Sequence, residues 1–148
     1  MPVTIRRAQP DDFAVISDVI DAWWGRPVGS SRPRLFLDHF HTTSFVAEDG
    51  GLAGFLIGFH SPSIRGVSYV HFIGVRPDCR RTGLARMLYE LFIGQARADG
   101  RTELRAITSP TNIDSVRFHE RLGFTVAGPE PDYNGPDKPM VTFVKRLG

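Results

Sequence analysis

The chain is poor in several things at once, and each shortage removes a class of function. One cysteine, Cys79, among 148 residues excludes an intramolecular disulfide. No apolar run approaches the ~20 residues needed to cross a bilayer, so no membrane span is expected. The N-terminal stretch Met-Pro-Val-Thr-Ile-Arg-Arg starts directly on a strand-like alternation, without the apolar core of a secretory signal. Together these point to a reducing cytoplasm. Net charge is only +2, and no basic run is interleaved with aromatic residues, which argues against nucleic-acid partners. His39, His41 and His60 belong to no set with metal-ligand spacing, so no metal is expected. Neither a glycine run followed by Gly-Lys-Ser/Thr nor a G-x-G-x-x-G triplet occurs, which removes the Walker loop and the dinucleotide fingerprint.

What is present suits one soluble globular domain spanning residues 1–148, with 41% hydrophobic and 23% charged residues. Val3 to Ala8 reads as a strand. Pro10-Asp11-Asp12 then opens a helix marked by Phe13, Ile16, Ile20 and Trp23 and ending near Gly25. After a Gly, Ser and Pro-rich break, Leu35 to Phe40 reads as a short helix. Phe45 to Glu48 and Leu52 to Phe59 form a hairpin through Asp49-Gly50-Gly51, and Val67 to Val75 is a long strand. Leu84, Met87, Leu88, Leu91 and Phe92 make the stripe of a helix laid on a sheet, ended by Gly100. Glu103 to Thr108 is the next strand, and Thr111 with Asp114 is the capping pair of a helix stopped by Gly123. Phe124 to Ala127 and Met140 to Leu147 are the last strands, around a proline-rich loop. This order implies a mixed α/β sheet with helices on its faces.

The stretch Val75 to Ala85, VRPDCRRTGLA, sets Arg80-x-x-Gly83-x-Ala85 between the long strand and an amphipathic helix. The unpaired N–H groups of a first helical turn and the positive end of its macrodipole make a seat for an anion. Gly83 and Ala85 keep side chains out of the way of phosphate oxygens, and Arg76, Arg80, Arg81 and Arg86 suit a small polyphosphate better than a duplex, or else form a solvated surface.

The motif resembles the coenzyme A pyrophosphate loop of the GNAT superfamily of N-acetyltransferases. Downstream, Asn112-Ile-Asp-Ser-Val-Arg-Phe-His-Glu-Arg-Leu-Gly-Phe124 is similar to that family's second signature. The resemblance implies a mixed, largely antiparallel central sheet with splayed central strands and helices on both faces. It also implies acetyl-CoA as co-substrate, with its pyrophosphate on Arg80, Arg81, Thr82, Gly83, Leu84, Ala85 and Arg86. The pantetheine arm would pair with Ile73, Gly74 and Val75. Asn112 matches a residue that binds the cofactor arm in relatives, or it is a helix-start residue, or both.

Acetyl transfer from a thioester needs a neutral amine, a stabilised oxyanion and a proton for the thiolate. A backbone N–H of the Ile73 to Val75 stretch would polarise the thioester carbonyl, worth roughly 3 to 4 kcal/mol in comparable sites. Where the family commonly has a tyrosine acid, this chain has His119, which either donates that proton or only lines the cofactor channel. An amine of pKa near 10.4 is neutral only about once in 2,500 molecules at pH 7, so a base helps. His71 is placed for that role, with Tyr69 in its water chain, unless it is a buried histidine satisfied by a backbone carbonyl.

By the same resemblance, Trp23, Trp24, Arg26 and the Tyr133 loop shape the acceptor pocket, aromatic walls suiting an apolar or cationic amine. Alternatively Trp23 closes the core and Trp24 is a surface or dimer contact. The acceptor is a small-molecule or peptide amine attacked in a ternary complex, since Cys79 is badly placed as an acyl carrier. A non-catalytic acyl-CoA-binding or sensing module is the alternative, followed by an interaction domain using the tryptophans. A homodimer is a further expectation, hinted at by an exposed edge strand at Met140 to Leu147.

Overall fold

In the computed structural model, which describes residues 2–24 and 34–148, seven strands and four α-helices follow one another as the sequence pattern requires. The elements are β1 (Thr4–Arg7), α1 (Asp12–Trp24), α2 (Leu35–Phe40), β2 (Phe45–Glu48), β3 (Leu52–His60) and β4 (Val67–Val75). Then come α3 (Leu84–Ala98), β5 (Glu103–Thr108), α4 (Ile113–Arg121), β6 (Thr125–Glu130) and β7 (Met140–Arg146). Strand order is β1-β2-β3-β4-β5-β7-β6. The pairs β1–β2, β2–β3, β5–β7 and β6–β7 are antiparallel, and β4–β5 is parallel. No helix among the described residues is long and apolar enough to cross a membrane.

The chain falls into two compact units, one of residues 1–59 and 70–95, the other of residues 60–69 and 96–148. In the first, β3 is buried from Ala53 to Gly58 on both its faces, which explains its near-continuous apolar run. Ile16, Ile20 and Trp23 of α1 and Leu37 of α2 pack with Phe55 and Ile57 on one of those faces. Gly54, of opposite parity, faces Leu84 and Leu88 of α3 on the other; a Cβ there would lie 3.3 Å from Leu84 Cδ2. Helices therefore cover both faces of this strand. In the second unit, β5 and β7 pair over their full lengths, from Glu103↔Arg146 to Thr108↔Val141.

Three expectations change. On α3 the buried side chains are Leu84, Leu88, Tyr89, Phe92 and Ala96, whereas Met87 and Leu91 are 46% and 45% exposed. The helix is rolled, at 100° per residue, so that its i, i+4 row faces inward and these two residues flank it. The cap of α4 is Asn112, whose Oδ1 accepts from Ser115 N at 3.3 Å, so Thr111 lies outside the helix. The strand β7 is not an edge: β6 continues to Glu130 and covers it, so both sides of β7 are paired. Trp24 is half-buried, packing against Phe55 and Phe72 in the first unit.

The roll of α3 is directly testable. Leu88→Ala should cost about 2 to 5 kcal/mol in urea unfolding, and Leu91→Ala should stay within about 0.5 kcal/mol. Equal losses would contradict the assigned buried face.

Candidate active site

In the first unit the strand-to-helix connection is a short 3-10 turn, Pro77–Cys79, followed by extended Arg80. Arg81 and Gly83 then both take left-handed backbone, at φ 62 and φ 87, directly before α3 begins at Leu84. That conformation, rather than crowding, demands glycine at 83, because a Cβ there would meet nothing within 4 Å. Thr82 Oγ1 donates to Cys79 O at 2.5 Å and tightens the turn. The result is an open concavity of backbone at the start of a 15-residue helix.

The arginines near it divide. Arg76 is held by Asp49 (Nη2–Oδ2 2.5 Å) and Asp78 (Nε–Oδ1 2.6 Å), so its charge is spent inside the fold and the expected four-arginine cluster loses a member. Both carboxyls are held below the usual range by that guanidinium. Arg80 sends Nη2 to Trp23 O at 2.5 Å. Cys79 is buried, with Arg76 Nη2 at 3.4 Å from its sulfur, and burial pushes its thiol up, so it is an inert structural residue.

On the preceding strand, Gly74 leaves room for aromatic rings. A Cβ there would overlap the Trp24 ring and lie 2.8 Å from Phe55 Cζ. Trp24 meets Phe72 edge-on at 4.9 Å, and Trp23, only 8% exposed, stacks on Phe55 at 6.0 Å. His71 lies flat on Phe36 of α2 at 3.8 Å, and Phe36 and Phe40 sit one turn apart along the same helix. Phe36 and Phe72 were missed in the sequence; the i, i+4 aromatic pair of α2 was the available signal. Arg26 lies outside the described residues.

In the second unit α4 carries two of the anticipated groups. Asn112 caps the helix through Oδ1, which leaves its amide hydrogens as what it has to offer a ligand. His119, 4% exposed, holds Nδ1 at 2.7 Å from Ser115 O, which fixes the proton on that nitrogen and makes Nε2 the basic one. Its ring stacks on Phe143 at 4.1 Å and 2°, with Phe118 and Phe124 edge-on at 5.4 and 5.1 Å. Burial lowers its pKa to about 4, against a smaller opposing pull from the Ser115 carbonyl. Tyr69 lies opposite Arg105 of β5, and its phenol is pushed upward by burial and by the nearby Tyr133. Tyr133 is 45% exposed on a β6–β7 loop braced by Asp137 N donating to Asp132 Oδ1 at 3.1 Å. Among the described residues, no three His, Cys, Asp or Glu side chains gather as a metal site.

The family model described as the Acetyltransferase (GNAT) family matches residues 12–124. The L-methionine sulfoximine/L-methionine sulfone acetyltransferase of Pseudomonas aeruginosa is 38% identical over 136 residues, covering 82% of this chain and 77% of the relative. The mycothiol acetyltransferase of Thermobispora bispora is 33% identical over 89 residues, 55% of this chain, and the matched part is 29% of that relative's length. A Salmonella typhimurium protein solved with its cofactor acetyl-CoA superposes at TM-score 0.75 with 23% identity, covering 100% of this chain and 95% of that one.

The burial of His119 sets a pH dependence of stability. Its folded pKa of about 4 is below the ordinary 6.5, so between those values the unfolded chain binds the proton more readily. The stabilisation is therefore complete above about pH 6.5 and lost as pH falls toward 4, by about 3 kcal/mol. In urea unfolding at pH 7 and pH 4, His119→Phe should lose about 3 kcal/mol less than the native chain; equal losses would mean that the histidine titrates normally.

Proposed function

The chain belongs to the GNAT family of acetyltransferases, and on that premise we propose that it transfers an acetyl group from acetyl-CoA to an amine by direct attack in a ternary complex, residues 1–148 acting as one cytoplasmic acyltransferase domain. The observation that carries this reading is the left-handed pair Arg81 and Gly83 in open space at the start of α3. Backbone N–H groups of Arg81 to Arg86 receive the pyrophosphate, with Arg80 beside them and the helix macrodipole behind.

The pantetheine arm runs along Ile73, Gly74 and Val75, where a backbone N–H polarises the thioester carbonyl and later holds the oxyanion. Asn112 donates its amide to the arm. The amine attacks the carbonyl carbon, the C–S bond breaks, the nitrogen gives up one proton and the sulfur gains one. His71, with Tyr69 in its water chain, is assigned the earlier step, removal of a proton from the ammonium form so that a neutral amine can attack. His119 is assigned the transfer from nitrogen to sulfur. Burial keeps its imidazole neutral near pH 7, so the proton it delivers is one it has just received at Nε2 from the attacking nitrogen.

The acceptor is read as a small-molecule amine, by analogy with the amino-acid acceptors in the names of the Pseudomonas aeruginosa relative and its kin. Trp24 supports this, since its packing over Gly74 brings an aromatic wall to the proposed thioester strand, with Trp23 behind it.

Thiol release from acetyl-CoA across amino acids, polyamines, aminoglycosides and peptide N-termini identifies the acceptor, amino-acid amines being expected to turn over. Gly83→Glu should weaken coenzyme A binding at least tenfold in calorimetry, because it strains a left-handed residue and sets a carboxylate in the seat. Unchanged affinity would remove the loop from the cofactor site.

A further inference from the structure

We propose that Arg80 is a positioning residue that couples occupancy of the diphosphate seat to the placement of Trp24. The inference rests on reading Arg80 to Arg86 as the coenzyme A seat.

Helix α1 is described as far as Trp24, and its last described turn carries no basic residue. The carbonyls of that turn and the negative side of the helix dipole therefore have no cation among the described residues of the helix. Arg80 supplies one from 57 residues away, through Nη2 to Trp23 O at 2.5 Å. The next residue along, Trp24, covers Gly74 and meets Phe72 at 4.9 Å and Phe55 at 6.4 Å. One peptide unit thus separates the group that Arg80 grips from the ring that walls the thioester strand. A guanidinium has five N–H donors in a rigid fork, so a diphosphate arriving at the loop competes for, or shares, the same group that fixes the end of α1. Binding of the donor then stiffens or shifts Trp24 and so prepares the acceptor side.

The test uses the full chain and coenzyme A itself, followed by calorimetry and tryptophan emission in parallel. The native chain should bind with a change in emission. Arg80→Met should still bind at saturating coenzyme A but lose the emission change, and Arg80→Lys should restore part of it. Trp24→Phe should abolish the change, whereas Trp23→Phe should keep it; this pair decides the matter if Arg80→Met does not fold. An unaltered emission change in Arg80→Met, a change that survives in Trp24→Phe, or binding by the native chain without any change would overturn the coupling. Absence of calorimetric binding by the native chain would overturn the cofactor seat, and the coupling with it.

Discussion

Two missing Cβ atoms on neighbouring strands govern how the first unit is built. Gly54 of β3 has the Gly74 carbonyl oxygen 3.0 Å from where its Cβ would be, with Leu84 and Leu88 of α3 just beyond. Gly74 of β4 is overlain by Trp24 and Phe55. A methyl group at either place would push a helix or a tryptophan off the backbone, an overpacking that typically costs 1 to 3 kcal/mol. The placements of α3 and of the Trp24 ring beside β4 are both set by how closely those two strands can be approached. Burial and site geometry are in this sense one constraint.

The proposed anion seat is made mainly of backbone. Of the arginines expected around it, Arg76 is neutralised by Asp49 and Asp78, and Arg80 grips the end of α1. What remains for the proposed seat is the exposed backbone at left-handed Arg81 and Gly83, together with the helix dipole. Such a seat favours an anion of particular shape over mere negative charge, and it loses less to salt screening than exposed side chains would.

How much of this was legible in the sequence follows from the range of each interaction. The bounds of α2, β4 and β5 coincide with those read from local pattern, because alternation or short helical periodicity is bounded there by Gly, Pro or Ser. The loop motif was legible for the same reason. The facing of α3 was not, since Met87 and Leu91 are apolar and only tertiary packing shows that they flank the contact. Thr111 and Asn112 are both competent caps, and the choice between them is made by where β5 releases the chain. The pairing of β6 with β7, and the partners of Arg76 and Arg80, are contacts between distant residues that no periodicity records. His119 was legible as a position but not as an environment, because Phe143 of β7 and Phe124, just before β6, approach it from outside its helix.

That environment bears on the chemistry. A histidine in water would be partly charged at neutral pH and could hold a proton ready for a thiolate. Here burial among three phenylalanine rings disfavours the charged imidazole, while Nδ1 donates to Ser115 O and so leaves the lone pair on Nε2. A ring of pKa about 4 releases a proton to a thiolate with a large driving force but rarely holds one. The efficient regime for such a group is transfer within the tetrahedral intermediate, where the nitrogen that has just attacked is itself a strong acid and can supply the proton that the departing sulfur needs. In the proposed reaction a buried imidazole of this kind relays the proton and leaves the stoichiometry of the step intact: one C–N bond made, one C–S bond broken, one proton moved from nitrogen to sulfur.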